Sequence, residues 1–220
     1  MSAATRFVKI CCISSLPEAE LAIRHGAGAL GLVSEMPSGP GVIGEELIGE
    51  IARGVRGRVE TVLLTSESDP EAIAAQVERC GVTGVQLCAW LDDEARRALR
   101  IRIPWTMLMQ VVHVTGPSVI DSALAAQQHV DRLLLDSGTL SGPVQELGGT
   151  GRTHDWAISR EIVDSVDVPV LLAGGLRAEN VQQACREVDP FGVDVCSGVR
   201  TNGNLDEARL SAFFDALPDV

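Results

Sequence analysis

Short apolar runs alternate with segments of helical period along the whole 220-residue chain, the pattern that specifies βα units and a parallel sheet. The runs predict strands at Phe7 to Ile13, Ala29 to Val33, Val59 to Leu64, Gly84 to Cys88, Thr106 to Val114, Arg132 to Asp136, Val168 to Ala173 and Gly192 to Cys196. Helix start signals fall between them. Ser15 precedes Pro17, Asp69-Pro70 opens the third helix and Pro117 the fifth, since proline near the first helical position forfeits no intrahelical bond. Gly26 and Gly81 follow the first and third helices, where a left-handed residue commonly ends a helix.

Eight such units predict the α/β class, and within it a single (β/α)8 TIM barrel over residues 1–220. The competing arrangement is an open doubly wound sheet. No GxGxxG follows the first strand, so a dinucleotide site has little support. In a barrel, chemistry sits on the loops after the strands. Two of these are long, Ser34 to Gly41 and Ser137 to Asp155, and substrate contacts are expected on them.

Composition narrows the partner. Hydrophobic residues make up 45% and aromatics only 3%, so Val, Leu, Ile and Ala must fill the interior, as in a parallel sheet buried on both faces. The net charge of −12 repels a polyphosphate backbone and excludes nucleic acid. One small anion can still be held, because backbone N–H groups at a helix N-terminus act locally whatever the net charge. No basic flank leads into an apolar run, and no segment reaches the roughly 18 apolar residues of a membrane span, so a cytoplasmic location is expected. The six cysteines have neither CxxC nor short Cys/His spacing, which predicts reduced thiols and no metal centre.

Candidate chemistry gathers at the strand ends. Gly174 and Gly175 close the seventh strand, and Cys196 and Ser197 the eighth; both turns are expected to open a helix and to hold a phosphate. Such turns are otherwise merely tight. In the first strand, alternation puts Lys9 and Cys11 on one face and Cys12 on the other. An inward Lys9, a candidate substrate contact, would lie a layer below Cys11, favouring the thiolate and needing a partner of its own; Asp194 on the eighth strand is the candidate. Asp136 follows Leu133-Leu134-Leu135, and a buried carboxyl with a raised pKa serves as a general acid, although an Asp at a strand end is commonly only a cap. His113 and His154 read as structural or surface residues.

Taken in order, Val8-Lys9-Ile10-Cys11, Val85-Gln86-Leu87, Leu133 to Ser137, Gly148 to Trp156, Ala173 to Leu176 and Gly192 to Val195 resemble the phosphoribosylanthranilate isomerase family. The resemblance implies an Amadori rearrangement of an N-phosphoribosyl aromatic amine to a 1-deoxyribulose 5-phosphate, in the tryptophan pathway and without a cofactor. It implies Asp136 as the acid that opens the furanose ring and Cys11 as the base that takes the C2′ proton. The two glycine-bearing turns would hold the phosphate of a small phosphosugar.

Four positions depart from the family pattern, all around the active face. Cys12 stands in place of a glycine, Cys88 in place of a histidine and Arg200 in place of a glutamate, and Ser38-Gly39-Pro40 lacks an arginine expected to meet the anthranilate carboxylate. Arg200 is a candidate to supply that cation, since a guanidinium pairs a carboxylate at two points. The alternatives are a diverged isomerase of another sugar phosphate and a non-catalytic phosphate-ligand barrel. A homodimer is compatible with either.

Overall fold

The computed structural model describes residues 6–37, 39–137 and 155–218. Eight strands alternate with eight helices: β1 (Phe7–Ile10), α1 (Leu16–Arg24), β2 (Ala29–Val33), α2 (Glu45–Gly54), β3 (Glu60–Thr65), α3 (Pro70–Cys80), β4 (Gly84–Leu87), α4 (Asp93–Arg102), β5 (Met107–His113), α5 (Val119–Ala126), β6 (Arg132–Asp136), α6 (Trp156–Ser165), β7 (Val170–Leu172), α7 (Val181–Val188), β8 (Gly192–Val195) and α8 (Glu207–Asp215). The strands are all parallel and close in sequence order, β8 returning to β1. This is the (β/α)8 barrel that the repeat predicts.

Local chemistry sets the helix starts. The Ser15 hydroxyl caps α1 by accepting from the Glu18 N–H, and the Asp69 and Asp92 carboxylates accept from Ala72 and Ala95; each cap is worth about 1 kcal/mol. Pro117 does not open α5 directly, which begins two residues later at Val119 with no side-chain cap.

The apolar side chains fall into two layers. The larger packs the outer strand faces against the helices; the smaller fills the barrel interior with Leu64, Met109, Val111, Leu134 and Leu171. Strand residues thus meet apolar neighbours on both faces, and each fully buried Val, Leu or Ile contributes about 1.5–3 kcal/mol. At the end where the strands begin, Arg132 forks onto Glu60 at 2.6 and 2.9 Å and lies over the Phe7 ring at 4.8 Å.

Several strands stop short of their apolar runs. β1 ends at Ile10, not Ile13, and β8 at Val195, not Cys196. Nor does a long helix follow β8. The chain makes one 3₁₀ turn (Ser197–Val199), then a short hairpin of β9 (Arg200–Thr201) and β10 (Asn204–Leu205), before α8.

Candidate active site

Where the strands end, a cavity of ≈ 640 Å³, open mouth included, sinks into the barrel axis. Its wall takes residues from seven of the eight strands or the loops after them, including Cys11, Gln86, Cys88, Asp136 and Asp194. Both glycine-bearing turns contribute, through Gly174, Gly175, Cys196 and Ser197. Cys11 and Asp136 therefore face one shared space.

The β7 turn folds because Gly174 and Gly175 take φ of 86° and 63°, left-handed values that side chains resist. Asn180 ties the turn down, its amide donating to the Gly175 carbonyl at 3.0 Å. The β8 turn lies against it so closely that a Cβ on Gly198 would come within 2.0 Å of the Leu176 carbonyl oxygen. Small residues thus keep two backbone turns together at one rim of the cavity, the geometry that lets N–H groups approach an anion.

β1 delivers the first chemical group. The register pairs Lys9 with Asp194, and the Cys11 N–H extends the pairing by donating to the Val195 carbonyl at 2.9 Å. Lys9 is completely buried and bonds Asp194 at 2.8 Å, so the partner expected from sequence is in place. Burial alone would lower the Lys9 pKa; Asp194 overcomes that and holds the ammonium above its ordinary range. Lys9 is absent from the residues lining the cavity and supports Cys11 from beneath.

Beyond Ile10 the strand alternation fails. Cys12 adopts φ of 63°, which turns its side chain to the cavity and not towards the helices as alternation predicts. Its sulfur lies 3.8 Å from that of Cys11 and 2.8 Å from that of Cys196.

Arg200 is placed differently from its expected role. Its guanidinium donates to the carbonyls of Cys11 and Cys12 at 3.1 and 2.6 Å and to Glu18 at 3.0 Å. It is not among the residues lining the cavity. The group read as a substrate cation is engaged in holding the end of β1.

β6 carries Asp136, which is 7% exposed. Burial pushes its pKa up to about 6; the bond it accepts from the Ser137 N–H at 2.7 Å opposes this, and Asp194 adds to it. A carboxyl poised there is able both to give and to hold a proton at neutral pH.

Gln86 is a site residue that the sequence reading passed over. Its amide nitrogen contacts the Cys88 sulfur at 3.7 Å, while its carbonyl oxygen is buried with no partner. Its early signals were a polar residue inside an apolar strand and its place in Val85-Gln86-Leu87, to which no role was attached. Cys88 is a fully buried thiol, pushed up to about 12 chiefly by burial. Behind it lies a second cavity of ≈ 1000 Å³, open mouth included, lined by Trp90, His113, Thr115 and Ser118. His113 is 7% exposed there, and neither ring nitrogen has a partner.

Among the described residues no cluster of three or more His, Cys, Asp or Glu side chains could hold a metal, and no helix is long and apolar enough to cross a membrane. Ser38, His154 and the stretch from Gly148 to His154 lie outside the described residues.

The family model for N-(5′-phosphoribosyl)anthranilate (PRA) isomerase matches residues 8–216. The chain belongs to this family. N-(5′-phosphoribosyl)anthranilate isomerase 2 of Methanosarcina mazei is 38% identical over 208 residues, covering 94% of this chain and 91% of the relative. The crystal structure of phosphoribosyl anthranilate isomerase from Thermotoga maritima superposes with a TM-score of 0.82 at 29% identity, over 96% of this chain and 98% of that one. A further phosphoribosyl anthranilate isomerase, solved in complex with reduced 1-(o-carboxyphenylamino)-1-deoxyribulose 5-phosphate, gives 0.80 at 27% identity, over 96% and 97%. Within the isomerase family pattern, the substituted positions Cys12 and Cys88 both line the cavity, and Arg200 braces its wall from behind.

Proposed function

We propose that this chain catalyses the family reaction, the rearrangement of N-(5′-phosphoribosyl)anthranilate to its 1-deoxyribulose 5-phosphate ketone, with Asp136 as general acid and Cys11 as general base. The carrying observation is that these two side chains face one cavity whose rim is formed by two small-residue turns. Asp136 protonates the furanose oxygen, the C1′–O bond breaks, and an iminium forms between the amine and C1′. The Cys11 thiolate then removes the C2′ proton, giving an enolamine that tautomerises to the ketone. Each proton taken up in opening is balanced by one released from carbon, so neither oxidant nor cofactor enters.

Gly174, Gly175, Cys196 and Ser197 hold the phosphate in this reading, so that binding energy at the unreactive end positions C2′ against Cys11. Lys9 and Arg200 act as positioning residues, the first under Cys11 and the second behind its carbonyl. Gln86 presents its unpartnered oxygen to the substrate's hydroxyl or amine N–H. The test is steady-state turnover of phosphoribosylanthranilate, with complementation of a tryptophan auxotroph lacking the isomerase. Cys11→Ser and Asp136→Asn should each lose about two to four orders of magnitude in kcat; a wild-type rate in either would end the assignment.

One observation favours a second reading, the same chemistry on another amine. Among the described residues lining the cavity there is no Arg, Lys or His to meet an anthranilate carboxylate. A kcat/KM higher for a phosphoribosyl amine without the carboxylate than for the anthranilate compound would select it.

A further inference from the structure

Cys12 and Cys196 approach each other across the cavity rim with their sulfurs 2.8 Å apart, well inside the usual separation of two unbonded sulfurs. They come from loops 184 positions apart in sequence that the barrel brings side by side, because β1 and β8 are hydrogen-bonded neighbours. Neither sulfur has a part in the proton transfers assigned above. Cys196 is partly exposed on the wall of an open cavity, so a small solute reaches it, while Cys12 stands behind it. The hydrogen bond shared with Cys12, with the Arg200 charge acting in the same direction, holds the Cys196 thiol below its ordinary range against burial, whereas the Cys12 thiol is driven up. Such an asymmetric pair has one sulfur ready to attack; once that sulfur sits in a mixed disulfide its charge no longer holds the Cys12 proton, and Cys12 can resolve it.

We propose that Cys12 and Cys196 form a reversible disulfide on exposure to a low-molecular-weight disulfide, and that this cross-link switches the active site off. The Cys196 thiolate attacks one sulfur of the small disulfide; a mixed disulfide forms and one small thiolate leaves. The Cys12 thiol gives its proton to that thiolate and attacks the Cys196 sulfur, forming the internal bond and expelling the second small thiolate, which takes its proton from water. Two protein thiols are oxidised and one small disulfide is reduced to two thiols.

A disulfide bond of about 2.05 Å requires the sulfurs to close by about 0.8 Å from their 2.8 Å separation. That movement draws the Cys196-Ser197 turn towards β1 and displaces the backbone next to Cys11. A displacement of that size at a reacting centre costs activity by about tenfold to a hundredfold. The effect on turnover rests on the isomerase reading, whereas formation of the bond does not.

The purified full chain is incubated with oxidised glutathione, and thiol titre, cross-linked peptides and phosphoribosylanthranilate turnover are followed together. The expected result is a loss of two titratable thiols, a single peptide pair joining Cys12 to Cys196, and a fall in turnover that dithiothreitol restores. Cys12→Gly is the control, because glycine suits the 63° φ at that position and removes the resolving sulfur. It should keep its turnover and halt at a glutathione adduct on Cys196. A titre unchanged after oxidation, or a cross-link mapping to Cys11, would overturn the proposal. If the bond forms but turnover is unaffected, the modification site stands and the switch falls; if the chain has no isomerase activity at the outset, only the reading of its function fails.

Discussion

Asp136→Asn should make the protein more stable while abolishing its proposed chemistry. The carboxyl is 7% exposed, and its pKa rises from 3.8 to about 6, burial being the largest cause. A folded-state pKa above the unfolded value means that the folded chain holds the proton more tightly. The associated stability is fully present below 3.8 and is lost as pH rises through about 6. Two units at 1.36 kcal/mol each put the loss at about 3 kcal/mol by pH 8. Asparagine is neutral throughout and can still accept from the Ser137 N–H through its amide oxygen. Urea unfolding of both proteins at pH 8 should therefore favour the variant by about 3 kcal/mol, and the gap should close towards pH 4 as the wild-type carboxyl takes up its proton. In the same preparation kcat should fall by two to four orders of magnitude. A gap under about 1 kcal/mol at pH 8, or one that does not shrink on acidification, would refute the idea that burial holds this group as an acid.

Asp194→Ala leaves the completely buried Lys9 ammonium without its partner at 2.8 Å, and urea unfolding should register a loss of about 3–5 kcal/mol. Lys9→Met combined with Asp194→Leu should recover most of it. Gly198→Ala drives a methyl to 2.0 Å from the Leu176 carbonyl oxygen and must part the two turns; steady-state kinetics should show KM for the phosphorylated substrate raised more than kcat is lowered. His113 has its pKa lowered by burial, so the folded state resists a proton that the unfolded chain accepts below about 6.5. Its contribution is intact above that value and is lost as pH falls past it, and a His113→Leu variant followed by urea unfolding should lack this acid-side decline.

Legibility in the sequence varied with the physics at each place. The barrel itself was readable, because every strand is buried along most of its length and Ser15 and Asp69 cap the first and third helices as their sequence signals predict. β2 and β6 match the expectation to the residue. β1 and β8 were overrun because Cys11, Cys12, Ile13 and Cys196 remain buried or half-buried after leaving the ladder. Burial reads as an apolar run whether or not the backbone is paired. The Lys9–Asp194 pair was legible because a lysine in an apolar strand demands a carboxylate within reach, and few strands can supply one.

The role of Arg200 was hidden for the opposite reason. Two of its acceptors are the main-chain carbonyls of Cys11 and Cys12, which carry no residue-type signal at all. Sequence showed a cation where the family has an acid, and it read as a free charge facing the substrate. The structure turns two separate departures into a coupled one. A side chain at position 12 must sit at a φ of 63°, and the same guanidinium bonds the carbonyls on both sides of that bend while Glu18 neutralises it. Glycine at 12 needs no such brace, whereas cysteine there is held against its conformational preference by Arg200. Loss of Arg200 should therefore injure the position of Cys11 before it injures affinity for any carboxylate, and Arg200→Ala should lower kcat in wild type more than in a Cys12→Gly background.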